Sequence, residues 1–371
     1  MSVSLHRISE GTTEVFIYPS KGTGKGPGVK ENQPFYNPTM ERSRDLSVVF
    51  LQWFLTQQKK HVTVLDGLAA SGIRGVRFAH ELTGDFSVVI NDHDIQAYTL
   101  IQKNIEHNKL NNAVAYNQNL RELLMKNRFQ YIDIDPFGSP IYYFADAVQS
   151  CTHNGVIACT ATDTAPLCGV YPKVCLRRYA AHPYHSVVMH EIGLRILLGA
   201  LGRDAARYDC GIEPLLSYAA DHYFRAYVQI KRGKQYADAT IEQIQPVSAR
   251  LIPMSKLKND GSVGPLWMGG LEHKKIISHL RTGVFERNVR TKHELWKLLS
   301  VLEEEAEMPP FFYTSSDLAS SLKVSAPSMK TIVNYLYHRG FLVSRTHFHE
   351  VGFKTNAPYS VVKEVFIQQK R

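Results

Sequence analysis

HVTVLD at His61–Asp66 and GLAASGIRG at Gly67–Gly75 form the stretch of sequence that decides the fold. The first piece is an apolar, β-branched run that ends in a carboxylate, and a helical pattern over residues 76–82 follows the small-residue turn. This order predicts the first strand, turn and helix of a parallel α/β sheet. Small residues at the turn allow a ligand to approach the backbone N–H groups at the start of the helix.

Two further predicted strands also end in carboxylates. Phe86–Asp92 (FSVVIND) places Asp92 roughly 20 residues beyond the turn, where a doubly wound fold has the acidic residue that binds a ribose. Tyr131–Pro140 (YIDIDPFGSP) is a strand that stops at Asp135. Because parallel strands end at the same edge of a sheet, the carboxylates at these strand ends are expected close together.

The turn at residues 67–75 indicates which nucleoside cofactor is bound. A dinucleotide fold uses G-x-G-x-x-G, whose second Gly admits a pyrophosphate, and this chain has Ala69 or Ala70 in the middle position. S-adenosylmethionine needs no phosphate cradle; it needs an adenosine pocket, a ribose carboxylate and an anion near its amino group or sulfonium. Asp66 and Asp92 supply those carboxylates, so the sequence favours S-adenosylmethionine. For the turn alone, an ordinary βα turn with a solvated Asp remains the alternative.

The sequence Asp135-Pro136-Phe137-Gly138 predicts the chemistry. An exocyclic aromatic amine is a poor nucleophile because its lone pair is delocalised into the ring, and two acceptors that bind its N–H groups can localise that pair. Pro136 fixes the backbone so that the carboxylate of Asp135 and the carbonyl of Pro136 point the same way. Phe137 then offers an aromatic face to the base. The alternative is a strand-ending Asp-Pro turn followed by a core Phe.

A series of motifs, kept in order along nearly the whole chain, resembles the tRNA guanine-26 N2-dimethyltransferases in an archaeal-like form without zinc cysteines. The motifs are Asn37–Met40, Ser43–Asp45, Ala70–Gly75, Asp133–Pro140, Thr160–Gly169, Arg177–Tyr179, His190–Leu197, Asp221–Arg225 and Gly264–Trp267. The resemblance implies an α/β, Rossmann-like class I S-adenosylmethionine-dependent methyltransferase domain, followed by a smaller α+β domain with a winged-helix-like part. It also implies two successive methyl transfers to N2 of guanosine 26 in tRNA.

The same resemblance implies roles for residues at both ends of the site. Phe35 would face the target base from the side opposite Phe137, and a base between two rings suits a flipped nucleotide. Arg44 would bind the methionine carboxylate of the cofactor; a surface ion pair with Asp45 is the alternative.

Other cofactor contacts are predicted around the ribose and the adenine. The resemblance assigns Asp92 to the cofactor and the pair Asn119-Leu120 to the adenine. The family usually has Asp-Ala at that pair, so Asn119 keeps an acceptor oxygen but has no charge. Arg74 completes the cofactor set, with a helix-cap surface charge as the alternative.

Composition bounds the class of protein. The 371 residues are 44% hydrophobic and 21% charged, which is typical of a globular protein with room for two domains. The chain has no apolar run long enough to span a bilayer and no signal-peptide pattern at its start, so we expect a cytoplasmic protein without membrane contact. The net charge of +9 favours a polyanionic partner. No obligate protein partner is inferred.

Cysteine and histidine usage argues against a metal site. The five cysteines are odd in number and include no C-x-x-C pair, which indicates a reducing compartment and no zinc ribbon. His182, His185 and His190 do not have a zinc spacing. We therefore predict no metal.

Two regions are predicted to contact RNA. Residues 171–184 combine Lys173, Arg177 and Arg178 with tyrosines, which suits backbone and base contacts. We place a domain boundary between residues 238 and 239, giving a methyltransferase domain at 1–238 and a tRNA-docking or scaffold domain at 239–371. In the second, a helix-turn-helix and strand carry Lys330 and Arg345 for phosphate contacts; a purely bracing role is the alternative.

Three segments leave alternatives open. Ser20–Lys30 is either a plain flexible loop or an arm that contacts phosphates. Asp163, in the loop after the fifth strand, is either a second acceptor for the base or the centre of an Asx turn. Gly264–Gly270 is expected to be a tight turn with a buried Trp.

Two rival functions remain. An adenine-N6 or cytosine-N4 methyltransferase acting on DNA would use the same acidic loop, usually with a second Pro where this chain has Phe137. A catalytically inactive RNA-binding module is the other rival. The joint presence of the turn, the ribose carboxylate and Asp135 argues against it.

Overall fold

The structure is a computed structural model that describes residues 5–19, 33–220, 222–253 and 261–368. The segment Ser20–Lys30, predicted as a loop or phosphate-contacting arm, lies outside the described residues, as does Asp221 of one family motif.

The strands of the described part are numbered in chain order. They are β1 His6–Glu10, β2 Thr13–Ile17, β3 Val62–Asp66, β4 Phe86–Asn91, β5 Ala113–Tyr116, β6 Phe129–Ile134, β7 Cys151–Ala161, β8 Cys210–Ala220, β9 Tyr223–Arg232, β10 Ile244–Ser248, β11 Ser262–Trp267, β12 Tyr313–Thr314, β13 Val343–Arg345 and β14 Gly352–Thr355.

The α-helices are numbered in the same way. They are α1 Glu41–Thr56, α2 Ile73–Glu81, α3 Ile95–His107, α4 Leu120–Lys126, α5 Phe144–Ser150, α6 Thr164–Leu167, α7 Pro172–Tyr179, α8 Met189–Ala206, α9 Lys234–Glu242, α10 Lys274–Gly283, α11 Lys292–Glu305, α12 Ser315–Leu322, α13 Met329–His338 and α14 Tyr359–Ile367. Short 3₁₀ helices lie at Pro38–Met40, Pro140–Tyr143, Ala249–Leu251 and Val284–Glu286.

The central sheet has the strand order β5-β4-β3-β6-β7-β9-β8 within the described residues. Strands β3 to β7 pair in parallel, and β9 and β8 close the sheet as an antiparallel pair. The chain runs outward from β3 to β5 and then returns to place β6 on the other side of β3. Ligands of open α/β sheets bind beyond the carboxyl ends of the strands at such a reversal.

Helices cover both faces of this sheet, because adjacent strand residues point to opposite sides. On one face, Leu65 and Ile132 pack in a core with α4, α5 and α8. On the other face, Val64 and Tyr131 pack with α1, α2 and α10. These helices leave the carboxyl ends of the strands uncovered, and the site is accessible from there.

The C-terminal part has a hydrophobic core of its own. Leu318, Ile332, Phe353 and Phe366 belong to a separate cluster built from α12, α13, α14 and the sheet β12-β14-β13. A helix pair followed by antiparallel strands is the winged-helix arrangement expected from the sequence. The boundary predicted between residues 238 and 239 lies inside α9, and Leu266 of β11 packs in the core of the central sheet. The division into domains at that point stays a prediction.

One local prediction is wrong. Gly264–Gly270 was expected to be a tight turn, but Ser262–Trp267 is a strand that pairs antiparallel with β10. Trp267 is buried, as expected. The glycines in this segment suggested a turn, whereas the pairing partner lies outside the segment and gives no local signal.

Candidate active site

A cavity of about 800 Å³ lies at the carboxyl edge of β3, β4 and β6. Residues before α1 and the turn between β8 and β9 complete its lining. It brings together the predicted site residues Phe35, Arg44, Asp66, Arg74, Asp92, Asp135, Pro136 and Phe137. These residues span about a hundred positions of sequence, so the parallel sheet is what assembles them.

The turn after β3 is shaped by its small residues. Gly72 has φ of +77° at the start of α2, a conformation that favours glycine. A Cβ at Gly75 would lie 2.7 Å from a side-chain carbon of Ile90 and 3.1 Å from a carboxylate oxygen of Asp66. Without a side chain at Gly75, its backbone N–H donates to Asp66 at 2.9 Å. The turn therefore packs directly against the first two strand ends.

Asp92 faces the same cavity from the end of β4. Its carboxylate accepts the N–H of Ala70 at 2.8 Å and that of Asp94 at 3.0 Å. These bonds fix the carboxylate between the turn and the start of α3, and its oxygens retain capacity for further donors. This is the position expected for a group that binds two neighbouring hydroxyls.

Asn119 and Leu120 are placed differently from the other predicted cofactor residues. Neither is among the residues that line the cavity. Asn119 is exposed and caps α4, accepting the N–H of Arg121 at 3.0 Å. Leu120 is buried and lies under the turn, where it would be 2.9 Å from a Cβ at Gly67. The predicted adenine contact of this pair stays a prediction.

Arg44 lines the cavity but already has a carboxylate partner. Its guanidinium forms two hydrogen bonds with Glu10, one of them at 2.8 Å, and donates to the carbonyl of Asn37 at 3.0 Å. A cofactor carboxylate would therefore share this guanidinium with Glu10. The partner predicted as the alternative, Asp45, instead pairs with Arg77 at 2.7 Å.

Asp135 lies at one end of a buried row of alternating charges that was not predicted from the sequence. Arg74 donates to Asp135 and lies 3.6 Å from Asp133. Arg225 in turn donates both terminal nitrogens to Asp133, at 3.0 and 2.5 Å. Ser47 accepts from Arg74 at 2.6 Å and from Arg225 at 3.2 Å. The sequence offered one signal of this row, which is that Asp133 lies inside an apolar strand. A buried charge requires a partner.

These charges set the protonation of the carboxyl groups in opposite directions. Burial acts against the ionised form of Asp135, but Arg74 and Arg225 outweigh it and hold the pKa of Asp135 below its usual range. Burial, reinforced by the charge of Asp133, raises the pKa of Asp66 to about 7. Asp135 is therefore an ionised acceptor at neutral pH, while Asp66 can exchange a proton there.

Phe35 and Phe137 touch each other across the cavity. Their ring centroids lie 5.1 Å apart with an interplanar angle of 61°, an edge-to-face contact. Phe137 remains 52% exposed. A base between two rings needs a spacing of about 7 Å, twice a stacking distance of about 3.5 Å. The rings must therefore separate before a base can enter between them.

The loop after Asp135 is fastened to the end of β7. The N–H of Gly138 donates to the Thr162 hydroxyl at 2.7 Å, and the N–H of Thr162 donates to the Gly138 carbonyl at 2.9 Å. Asp163 does not line the cavity. It accepts from Tyr179 at 2.8 Å and from Arg178 at 3.0 Å. Its side chain thus accepts from two other side chains, and the two roles suggested by the sequence, an acceptor for the base or an Asx turn, stay predictions.

The residues predicted to contact RNA lie in two places. Lys173 and Arg177 are exposed on α7. Lys330 and Arg345 lie together on a shallow cavity of about 510 Å³ in the C-terminal part, where Arg345 pairs with Glu304 at 3.2 Å. Both regions leave cationic side chains open to solvent.

The described residues contain neither a metal-binding cluster nor a membrane-spanning helix. There, no group of three or more His, Cys, Asp or Glu side chains is placed to bind a metal ion. Also within those ranges, none of the helices has the length and hydropathy needed to cross a bilayer. All five cysteines lie in the described part, are buried and form no disulfide.

Comparison with known proteins identifies the family. A family model described as N2,N2-dimethylguanosine tRNA methyltransferase matches residues 18–367. The chain belongs to this family. A tRNA (guanine(26)-N(2))-dimethyltransferase of Pyrococcus furiosus is 37% identical over 98% of this chain and 99% of its own length. That of Methanothermobacter thermautotrophicus is 36% identical over 96% of this chain and 97% of its own.

A solved structure supports the fold of this N2,N2-dimethylguanosine tRNA methyltransferase family member. Trm1 from Pyrococcus horikoshii, in complex with S-adenosyl-L-methionine, superposes with a TM-score of 0.86 at 33% identity, covering 98% of this chain and all of that one. The predicted family and the predicted Rossmann-like fold class are confirmed. The relatives' names state the same reaction that the sequence analysis predicted.

Proposed function

We propose that this protein transfers methyl groups from S-adenosylmethionine to the exocyclic N2 amine of guanosine 26 in tRNA, first to monomethylguanosine and then to N2,N2-dimethylguanosine. One observation carries the proposal: the acceptor loop at Asp135 and the facing rings of Phe35 and Phe137 line the same cavity as Asp92. A nucleoside cofactor and a target base can therefore meet in it.

The residues of the cavity fit S-adenosylmethionine. Asp92 would bind the ribose hydroxyls, Asp66 would lie near the cationic part, and Arg44 would share its guanidinium between Glu10 and the methionine carboxylate. Ala69 and Ala70 stand where a dinucleotide-binding turn has its central glycine, so this turn serves the close approach of a diphosphate less well. When bound, the cofactor supplies an electrophilic methyl group.

The protein's part in the reaction is to prepare the amine. Asp135 and the carbonyl of Pro136 would accept the two N–H groups of guanine N2 and localise its lone pair. Because Arg74 keeps Asp135 ionised, the carboxylate can also take up the proton that the amine loses on methylation. Phe35 and Phe137 would hold the base plane between them and exclude water.

A second transfer places a further demand on the same acceptors. A monomethylated amine keeps a single N–H, which Asp135 can still accept, and its methyl group lies in the plane of the base, in place of the N–H that faced the carbonyl of Pro136. The second transfer therefore requires space for one methyl group beside Pro136, at the edge of the base.

The exposed cationic side chains suit binding to the phosphates of tRNA. Lys173 and Arg177 lie on the helix that follows the loop beside Asp135, and Lys330 and Arg345 lie on the C-terminal part. Phosphate contacts at both places would position the RNA without reading its bases. A cytoplasmic location fits this substrate.

The test is methyl transfer from labelled S-adenosylmethionine to unmodified tRNA transcripts, followed by nucleoside analysis. We expect dimethylguanosine at position 26 and none in a transcript with adenosine there. Asp135→Asn should bind the cofactor with unchanged affinity but lower the rate at least ~10²-fold, the usual contribution of a positioned acid–base group. Exposed Asp85→Asn is the matched control. Methylation of duplex DNA instead, or only monomethylguanosine at enzyme excess, would refute the proposal.

A further inference from the structure

Four side chains connect the surface of α7 with the loop that carries Asp135. Ser139 lies 2.5 Å from the hydroxyl of Tyr179, Tyr179 donates to Asp163 at 2.8 Å, and Arg178 donates to the other oxygen of Asp163 at 3.0 Å. We call these residues the loop-anchoring chain. Ser139 comes four residues after Asp135, on the segment that must present its acceptors to the base.

Burial distinguishes this chain from a surface network. Tyr179 is 1% exposed and Ser139 is 5% exposed. The Asp163 side chain is 8% exposed, whereas that of Arg178 is 37% exposed. The chain therefore runs from solvent at Arg178 to the interior beside the catalytic loop. Hydrogen bonds in a buried environment are stronger than in water and are costly to leave incomplete.

The direction of the hydrogen bonds in the chain follows from its acidic member. An ionised Asp163 only accepts, so the single proton of Tyr179 goes to Asp163. The oxygen of Tyr179 must then accept the proton of Ser139. The oxygen of Ser139 is left to accept the N–H of Ile141, which lies 3.4 Å away. The direction of each hydrogen bond thus sets the direction of the next. At the Asp163 end of the series, the charge of Arg178 pairs with the carboxylate.

Arg178 thus has a different environment from its neighbour on α7. Arg177 was predicted to contact RNA on the same grounds, and both are exposed. Arg178 differs because it donates a hydrogen bond to Asp163. Asp163 also accepts from Tyr179, which in turn contacts the catalytic loop. A second fastening, between Gly138 and Thr162, holds the same loop from the side of β7.

We propose, on the basis of the methyltransferase function above, that Arg178 is a positioning residue. Through Asp163, Tyr179 and Ser139 it fixes the loop of Asp135 and Pro136 against the target amine. It acts on the rate of methyl transfer and not chiefly on the affinity for tRNA. A misplacement of about 1 Å at a reacting group can lower a rate ~10²-fold, so a small loss of anchoring is measurable.

The experiment compares kcat and KM for tRNA in full-length variants at saturating S-adenosylmethionine. Arg178→Ala and Tyr179→Phe are expected to lower kcat about 10-fold or more, with KM for tRNA within about twofold of wild type. Arg178→Lys keeps a charge beside Asp163 and should restore most of the rate. Arg177→Ala is the matched control and should raise KM while leaving kcat near the wild-type value.

The outcomes separate the two proposals. If wild type methylates tRNA but Arg178→Ala raises KM as Arg177→Ala does, with kcat unchanged, Arg178 is an RNA contact and the inference is wrong. A normal kcat in Tyr179→Phe would also overturn it. Ser139→Ala removes one oxygen and tests the chain even where Arg178→Ala fails to fold. A wild-type protein that is inactive on every tRNA refutes the function itself.

Discussion

Asp66 is a buried carboxyl group whose effect on stability depends on pH. Its pKa is raised to about 7 in the folded protein by burial and by the charge of Asp133, against about 3.9 for an unperturbed Asp. Between these values the folded state binds more protons than the unfolded state, so stability falls as the pH rises. The contribution is fully present below pH ~4 and is lost as the pH passes about 7.

Replacing Asp66 with Asn should remove this dependence. The introduced amide would still offer an oxygen to the N–H of Gly75, but it has no charge to bury. We expect Asp66→Asn to gain stability relative to wild type between pH 5 and pH 8, measured by urea unfolding across that range. Asp238→Asn, at an exposed position of α9, is the control and should follow wild type. Parallel curves for Asp66→Asn and wild type would show that Asp66 titrates at its ordinary pKa.

The site residues that the sequence could predict are those whose role is local. Asp92 and Asp135 follow strands directly, so chain order and strand edge were enough to bring them together. The partners of Arg44 and Asp133 were not predictable, because Glu10 and Arg225 approach them from 34 and 92 positions away. Side-chain pairing across a fold depends on packing, which leaves no periodic trace in the sequence.

The β1–β2 hairpin is fastened to the first two helices by a buried ion cluster. Glu10 accepts from Arg44, from Arg77 at 3.2 Å and from the hydroxyl of Tyr36 at 2.7 Å. Despite burial, which opposes ionisation, Arg44 and the other donors lower the pKa of Glu10. Since Tyr36 adjoins Phe35, the hairpin also positions one of the two rings of the cavity.

Neutralising Glu10 should loosen this element. Glu10→Gln leaves two buried guanidinium groups with less negative charge around them, and losing one partner of a buried pair costs about 3 kcal/mol. Glu14→Gln on the same hairpin is the matched control, because its pairing with Arg7 is exposed and contributes less than about 1 kcal/mol. Urea unfolding of the two variants measures the difference. Equal losses would mean that burial of the cluster has no energetic consequence.

At the level of elements, periodic segments were predictable and paired strands less so. The helical pattern predicted over residues 76–82 lies in α2 apart from its last residue, and the strand predicted at Phe86–Asp92 is β4. Strand β11 was missed because Gly264 and Pro265 are typical of turns, and its pairing with β10 depends on residues about twenty positions earlier. The composition of a segment does not indicate which distant strand it will pair with.

The C-terminal part is joined to the sheet domain by a second buried ion cluster. Lys354 of β14 lies 3.1 Å from Glu191 of α8 and 3.7 Å from Glu305 of α11. His347 accepts the N–H of Ala219 at 3.2 Å, so its other ring nitrogen bears the proton and donates to Glu305. Ala219 precedes the β8–β9 turn, whose His222 and Tyr223 line the cavity.

Adjacent glutamates at the end of α11 provide a matched test of this junction. Glu305 is 2% exposed within the cluster, whereas the side chain of Glu304 is 45% exposed beside Arg345. We expect Glu305→Gln to lower the free energy of unfolding by about 3 kcal/mol and to raise KM for tRNA, with unchanged cofactor affinity. Glu304→Gln should keep wild-type stability. Stability is followed by urea unfolding and cofactor affinity by calorimetry; equal stability of the two variants would contradict a junction that depends on Glu305.

The buried contacts of Lys354, Glu305 and His347 fix the distance between Asp135 and the basic cavity at Lys330 and Arg345. An RNA that touches both places at once must present its target nucleotide at that distance. A protein that contacts tRNA at both places, as proposed, would select its target nucleotide by its distance along the folded RNA, without reading the neighbouring bases. Many tRNAs of different sequence but equal shape would then be equivalent substrates.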